Sequence, residues 1–331
     1  MYPEILQFIV DQGHEVGPRG LMTKEISPVT LISHNPRKRL FGHPWRNEVS
    51  IFTYIEGLWI LRGEDTPDRV VSYVKGMKDF INATTGKFDG AYGPQIRRLV
   101  RSYIHGEGGI DQLVYAYYTL LGDPESRQAV VIINDPHVHK IPSKDFPCTL
   151  SFQFLVRQGK LNMIVHMRSQ DAWLGLVYDT GEFQWIQEIL AGWLNLDVGD
   201  YTHVVASLHL YERDEEKALK VIEHNRGWDL YKDAKILDAR LEKSKYGETE
   251  KVLAIFEETV RSGGTLAKEV SSILLGFNDF YSNLINIIMA YNLRLKGADD
   301  AALMMVEHNP TDLGLIYKRR WLNGKEGNGE K

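Results

Sequence analysis

Apolar and polar positions alternate in a way that divides the chain into a strand-rich first part and a helical second part. Two short apolar stretches, 28–32 and 39–41, predict strands. The segment SIFTYIEGLWILR, residues 50–62, places Ile51, Tyr54, Ile55, Leu58, Trp59 and Leu61 on one helical stripe, with Glu56 at its edge. GAYGPQIRR, 90–98, reads as a loop entering a helix, and 111–121 as a further helix closed by the turn GDPES. AVVIIN, 129–134, predicts a buried strand. The clearest hairpin follows: TLSFQFLV, 149–156, and LNMIVHM, 161–167, flank the turn RQGK. Residues 181–194 predict a helix, apolar at Phe183, Ile186, Leu190 and Trp193, and 203–211 predict a strand.

From residue 212 onward Glu, Lys, Leu and Ala dominate with helical spacing. Val252, Leu253, Phe256 and Val260 mark one helix, and Leu284, Ile285, Ile287 and Ile288 another. The expected fold is α/β (α+β), a mixed sheet flanked by helices with an appended C-terminal helical region. The expected division is 1–214 for the sheet-bearing unit, 215–322 for the helical region and 323–331 for a disordered polar tail.

Composition narrows the function. A net charge of −5 gives no basic field for nucleic acid, so an anionic small molecule has to be held by a few local arginines. The chain has one cysteine and so no internal disulfide, which fits a reducing cytoplasmic setting. The opening MYPEILQFIVDQGHE has no basic n-region and is broken by Asp11 and Gly13, so it does not read as a signal peptide. No apolar run reaches the roughly 20 residues that span a bilayer. No metal-ligand set stands out.

Three places carry candidate chemistry. Cys148 opens the first hairpin strand, opposite Arg168 on the second. A lone cysteine is most often a small buried hydrophobe, but a neighbouring cation lowers a thiol's pKa and supplies the thiolate that attacks electrophilic carbon. MRSQDAWLGLVYD, 167–179, packs charges into an apolar stretch, which is costly unless they are paired. Asp171 there is either reactive or a structural cap of the following helix. In ASLHLY, 206–211, alternation puts His209 and Tyr211 on one strand face, where both can reach one ligand hydroxyl, or where His209 is simply a satisfied core residue.

PCTLSFQF, GKLNMIVHMRSQDAWLGLVYD and WLNLDVGDYTHVVASLHLY, in this order and spacing, resemble the thymidylate synthase superfamily and its nucleotide hydroxymethylase relatives over residues 17–214. GDPESRQAVV, FTYIEGLWILRGEDT and FDGAYGPQIRR resemble the family's phosphate-arginine, glutamate-helix and tyrosine-loop segments. The resemblance implies that Cys148 is the nucleophile that adds to C6 of the pyrimidine. It implies phosphate contacts for Arg19, Arg168 and Ser169. Arg127 would reach the phosphate in the partner subunit, which makes the protein a homodimer. His209 and Tyr211 would hold the sugar, and Glu56 and Tyr92 would move protons. Asp171 and Gly175 would lie at the folate, and the cofactor would be 5,10-methylenetetrahydrofolate.

The departures from the synthase pattern point within the superfamily. Thr149 follows the cysteine where synthases have His, Met167 precedes the Arg-Ser pair where they have Gln, and Gln128 replaces a second phosphate arginine. Asp179 stands where synthases have Asn. Together these resemble the cytidylate and deoxycytidylate 5-hydroxymethylases. An Asn amide matches the N3–H donor and O4 acceptor of uracil. A carboxyl group sharing one proton matches cytosine's N3 acceptor and amino donor, and that proton stabilises the charge at N3 as the thiolate adds. The expected substrate is dCMP or CMP. The competing readings are methylation of dUMP, a non-catalytic nucleotide-binding homologue, and a cysteine hydrolase using Cys148 and His209.

Overall fold

The structure, a computed structural model, describes residues 2–98, 109–135, 143, 145–225, 227–266, 273 and 276–326. The N-terminal part runs α1 (Tyr2–Gln12), β1 (His14–Val16), β2 (Thr23–Ile26), β3 (Val29–Ser33), α2 (Phe52–Leu61), α3 (Asp68–Tyr73), α4 (Tyr92–Arg97) and α5 (Gln112–Gly122). The central part runs β4 (Val130–Ile132), β5 (Thr149–Arg157), β6 (Lys160–Met167), β7 (Gln170–Asp171), α6 (Gly175–Trp193), β8 (Asp197–Val205) and β9 (Leu208–Tyr211). The helices α7 (Glu212–Glu223), α8 (Lys243–Ser262), α9 (Asp279–Leu295), α10 (Asp299–Val306) and α11 (Asp312–Glu326) complete it. The fold is mixed α/β, as its pattern predicts.

Two sheets form. One has the order β3-β8-β6-β5-β4 and the other β1-β2-β9-β7. The expected hairpin is present: β5 and β6 pair antiparallel, and the turn between them carries Gln158 and Gly159 at positive φ. β6 pairs parallel with β8, and β7 parallel with β9. Residues 203–211 are therefore not one strand. The chain bends at Ala206 and Ser207 and passes from one sheet to the other, with Ala206 N donating to Met167 O and Gln170 N to Ser207 O.

Three further sequence expectations are corrected. Residues 39–41 form no strand, because Arg39 is drawn into the core to pair with Glu188 of α6. The helix expected at 181 starts at Gly175, so Asp179 lies inside it. The tail is helical as far as Glu326, and 327–331 lie outside the described residues.

The core is centred on α6 and α2. Every residue of α2 except Glu56 is buried, so the helix has no solvent face and the predicted stripe was only part of its buried surface. α2 approaches α6 at Gly57, where an added Cβ would lie 2.8 Å from the Trp185 ring; any larger residue would push the helices apart. The C-terminal helices close the other side of this pair. Phe280 meets the rings of Tyr54 and Trp185, and Tyr317 Oη accepts from Ile51 N, 2.9 Å, at the start of α2. α7 packs on α1. Among the described residues, no helix is long and apolar enough to cross a membrane.

Candidate active site

The hairpin geometry brings Cys148 and Arg168 together. Thr149 pairs with Met167, and one step beyond that pair Arg168 N donates to Cys148 O, 2.9 Å. The Arg168 guanidinium folds back onto the same loop, with Nε donating to Pro147 O, 2.9 Å, and Nη2 to Phe146 O, 3.0 Å. Nη1 keeps its donors free of protein partners among the described residues. Arg168 is exposed, as an anion ligand requires, and Ser169 beside it is half-buried.

Cys148 is half-buried, and burial pushes its thiol pKa up. Arg168 pulls it down, while Asp179, Asp145 and Asp171 push it up. The expectation that Arg168 would leave a low-pKa thiol is therefore corrected, since desolvation outweighs the single cation. A thiol of this kind needs further help to ionise once the site is filled.

Asp179 sits in the second turn of α6, its carboxyl pushed up to about 6 by burial. Gln170 Nε2 donates to its Oδ2, 2.7 Å. Gln170 Oε1 in turn contacts His203 Nε2, 2.9 Å, and His203 Nδ1 contacts Tyr201 Oη, 2.8 Å. An amide oxygen only accepts, so Nε2 of His203 carries the proton and Nδ1 accepts from Tyr201. Burial pushes His203 down to about 3, which keeps it neutral. The chain Tyr201–His203–Gln170 thus fixes one oxygen of Asp179. Gly175 makes room for it: an added Cβ would lie 2.5 Å from Gln170 Nε2 and 3.1 Å from Asp179 Oδ2.

Glu56 projects from α2 toward the same point. Burial first, then the Asp179 charge, raises its pKa to about 8. Tyr92, at the start of α4, is raised by burial and by Asp179 and Cys148, and it hydrogen-bonds Thr149. Thr149 Oγ1 also donates to Met167 Sδ, 3.2 Å. Cys148, Tyr92 and Asp179 therefore lie within electrostatic reach of one another, and Glu56 within reach of Asp179. The sequence reading missed three neighbours, Gln170, His203 and Glu182. Glu182 is a carboxyl in an apolar helix, one turn after Asp179, and the rule applied to 167–179 would have found it.

Asp171 shows the capping geometry: its Oδ1 accepts from Trp173 N, 2.7 Å, and Leu174 N, 3.1 Å, at the entry to α6. Its Oδ2 has no protein partner among the described residues. His209 lies opposite in register, is buried, and meets Tyr211 edge-on with ring centroids 5.1 Å apart. Two residues stand apart from this group. Arg19 is exposed in the turn Pro18–Gly20 at φ 54°, and Arg127 is exposed before β4. No hydrogen bond or ion pair among the described residues ties either side chain to Cys148.

Comparison with known proteins gives this geometry a family. The deoxyuridylate hydroxymethyltransferase of Bacillus phage SP01 is 35% identical over 221 residues, which cover 65% of this chain and 57% of that protein. The chain thus spans under two thirds of the length of this relative. That relative is named for deoxyuridylate, not for the cytidylate substrate the departures suggest. The sequence model of thymidylate synthase matches residues 1–237, wider at both ends than the 17–214 read from the motifs. With its thiol, arginine and buried carboxyls gathered at the head of α6, the chain belongs to the thymidylate synthase family, whose members transfer one-carbon units to pyrimidine nucleotides.

Proposed function

We propose that this protein is a pyrimidine-nucleotide 5-hydroxymethyltransferase acting on dCMP or CMP. The observation that carries the reading is a buried carboxyl group, Asp179, whose charge reaches Cys148 and one of whose oxygens is fixed by Gln170. Cys148 thiolate adds to C6 and the ring electrons move toward C5 and N3. Asp179 shares a proton with N3 and accepts from the 4-amino group. 5,10-Methylenetetrahydrofolate, when bound, supplies the one-carbon unit that C5 takes up. Glu56 and Tyr92 hold the water that completes the hydroxymethyl group and move its proton. Loss of the C5 proton and of the thiolate then frees the product, with tetrahydrofolate as the other product.

Arg168 and Ser169 bind the phosphate, with Arg19 added from its turn, and His209 with Tyr211 binds the sugar hydroxyl. The folate fits the face formed by Asp171 and Gly175, where the free Oδ2 of Asp171 suits the N–H donors of a pterin. Arg127 serves the partner's nucleotide in a homodimer. An outer sheet face with half-buried Leu155, Ile164 and Val204 and exposed Leu150 supports that assembly. The unit 1–214 carries the chemistry, and the helices of 215–322 brace it.

A second reading, hydroxymethylation of dUMP, is favoured by the phage relative. A protonated carboxyl offers one donor and one acceptor, which uracil can also use. Mass analysis of products from dCMP, CMP and dUMP with methylenetetrahydrofolate tests both. Addition of CH2O to a cytidylate is expected. Addition of CH2O to dUMP alone establishes the second reading, and addition of CH2 to dUMP would contradict hydroxymethylation.

A further inference from the structure

Glu182 is buried at 0% exposure on α6, one turn after Asp179. Its Cβ lies 3.5 Å from where a Cβ on Gly57 would stand, so it sits against α2 beside Glu56. Among the described residues, neither carboxyl oxygen receives a hydrogen bond from an N–H or hydroxyl group. The groups in hydrogen-bonding contact with it are the carboxyls of Glu56 and Asp179. Two carboxylates in such contact repel unless a proton lies between them. The tyrosines Tyr92 of α4 and Tyr201 of β8 also feel its charge. A buried acid without a cation or a donor stays neutral.

We propose that Glu182 is a specificity-determining residue that holds a proton in reserve for Asp179 and so decides which base edges the site accepts. The inference rests on the reading of Asp179 as the base-reading group. An ionised Asp179 presents two acceptors. Uracil offers its N3–H but turns O4 toward the charge, whereas cytosine protonated at N3 offers two donors. A protonated Asp179 accommodates both bases. As the sulfur bonds to C6 of cytosine, N3 takes the Asp179 proton, and Asp179 takes the Glu182 proton in its place. Glu182 is left as the carboxylate, and both transfers reverse when the sulfur leaves. Burial and the two neighbouring carboxyls raise its pKa well above the usual carboxylate range, which suits a proton store.

The test is calorimetric binding of dCMP and dUMP without folate, from about pH 6 to about pH 9, to wild type, Glu182→Gln and Glu182→Asp. Gln donates to Asp179 but passes on no proton. In Glu182→Gln the fall in affinity with rising pH should begin about one unit lower, costing dUMP about tenfold at pH 8 and dCMP less, with both within about threefold of wild type at pH 6. Glu182→Asp should fall between the two. If neither variant folds, wild-type proton uptake on binding dUMP should rise toward one proton as the pH approaches 9. An equal loss at every pH, an unchanged dUMP-to-dCMP ratio, or a pH-independent uptake would overturn the proposal. These readings need no turnover, so they stand apart from the product assay: absence of hydroxymethyl product defeats the functional reading, and an unshifted binding profile defeats only the role of Glu182.

Discussion

Two glutamates on α6, six positions apart, are both at 0% exposure, yet their surroundings are opposite. Glu188 receives Arg37 Nε at 2.5 Å, Arg39 Nη2, and the backbone N of Ala239 at 3.1 Å. Glu182 has, among the described residues, no cation and no N–H donor on its oxygens, and its hydrogen-bonding neighbours are the carboxyls of Glu56 and Asp179. The first is a charge neutralised by donors from two distant segments, and it ties 37–39 and 239 to the central helix. The second has its cost of burial left uncompensated and must hold a proton. Burial alone thus says little about what an acid does; the partner set separates structural charge from reactive acid.

Substitutions can break this contrast. Glu188→Gln leaves buried Arg39 without its ion-pair partner and Arg37 with Asp238 alone, and should cost about 3–5 kcal/mol of stability, read by urea unfolding, while the folded fraction keeps its pH profile of activity. Glu56→Gln should act in the other direction. Its carboxyl is raised from 4.5 to about 8. Its neutral form therefore stabilises the fold fully below pH 4.5, and that contribution is lost as the pH rises through 8. The variant escapes this loss, so its Tm should exceed the wild type's by roughly 2–4 °C at pH 8 and by less at pH 5. A constant difference across that range would mean that Glu56 is not the titrating group. Cys148→Ala should move stability least, within about 0.5–1 kcal/mol. It should abolish tritium release from C5-labelled nucleotide yet keep nucleotide affinity within about tenfold, because the thiolate acts in the transition state. Release at the wild-type rate would remove the thiol from the chemistry.

The hairpin 149–167 was legible because alternation and the RQGK turn are local signals, and they fixed the register that sets Arg168 beside Cys148. The split of 203–211 was not, since nothing within ASLHLY distinguishes a bend between sheets from a continuous strand. Arg39 misled for the same kind of reason: its partner, Glu188, lies far along the chain. Motif spacing picked out Cys148, Asp179 and Glu56. Gln170 and His203 escaped because their importance comes from one hydrogen-bonded chain between β7, β8 and α6. Cys148 was identified from its strand position, but its raised pKa depends on burial and on carboxyls from other elements.

The carboxyl at 179 is the hinge of the functional reading, and exchanging it for an amide tests it most directly. kcat/KM should be measured for dCMP and dUMP in wild type and in Asp179→Asn. The amide cannot pass a proton to N3, so the cytosine nucleotide should lose about 10²–10⁴-fold, with the loss in rate more than in affinity. The uracil nucleotide should gain, because the amide restores a matched donor and acceptor. The expected result is a ratio that moves toward uracil. A ratio that stays where the wild type sets it would show that Asp179 does not read the base, and would contradict the assignment of this site to cytidylate.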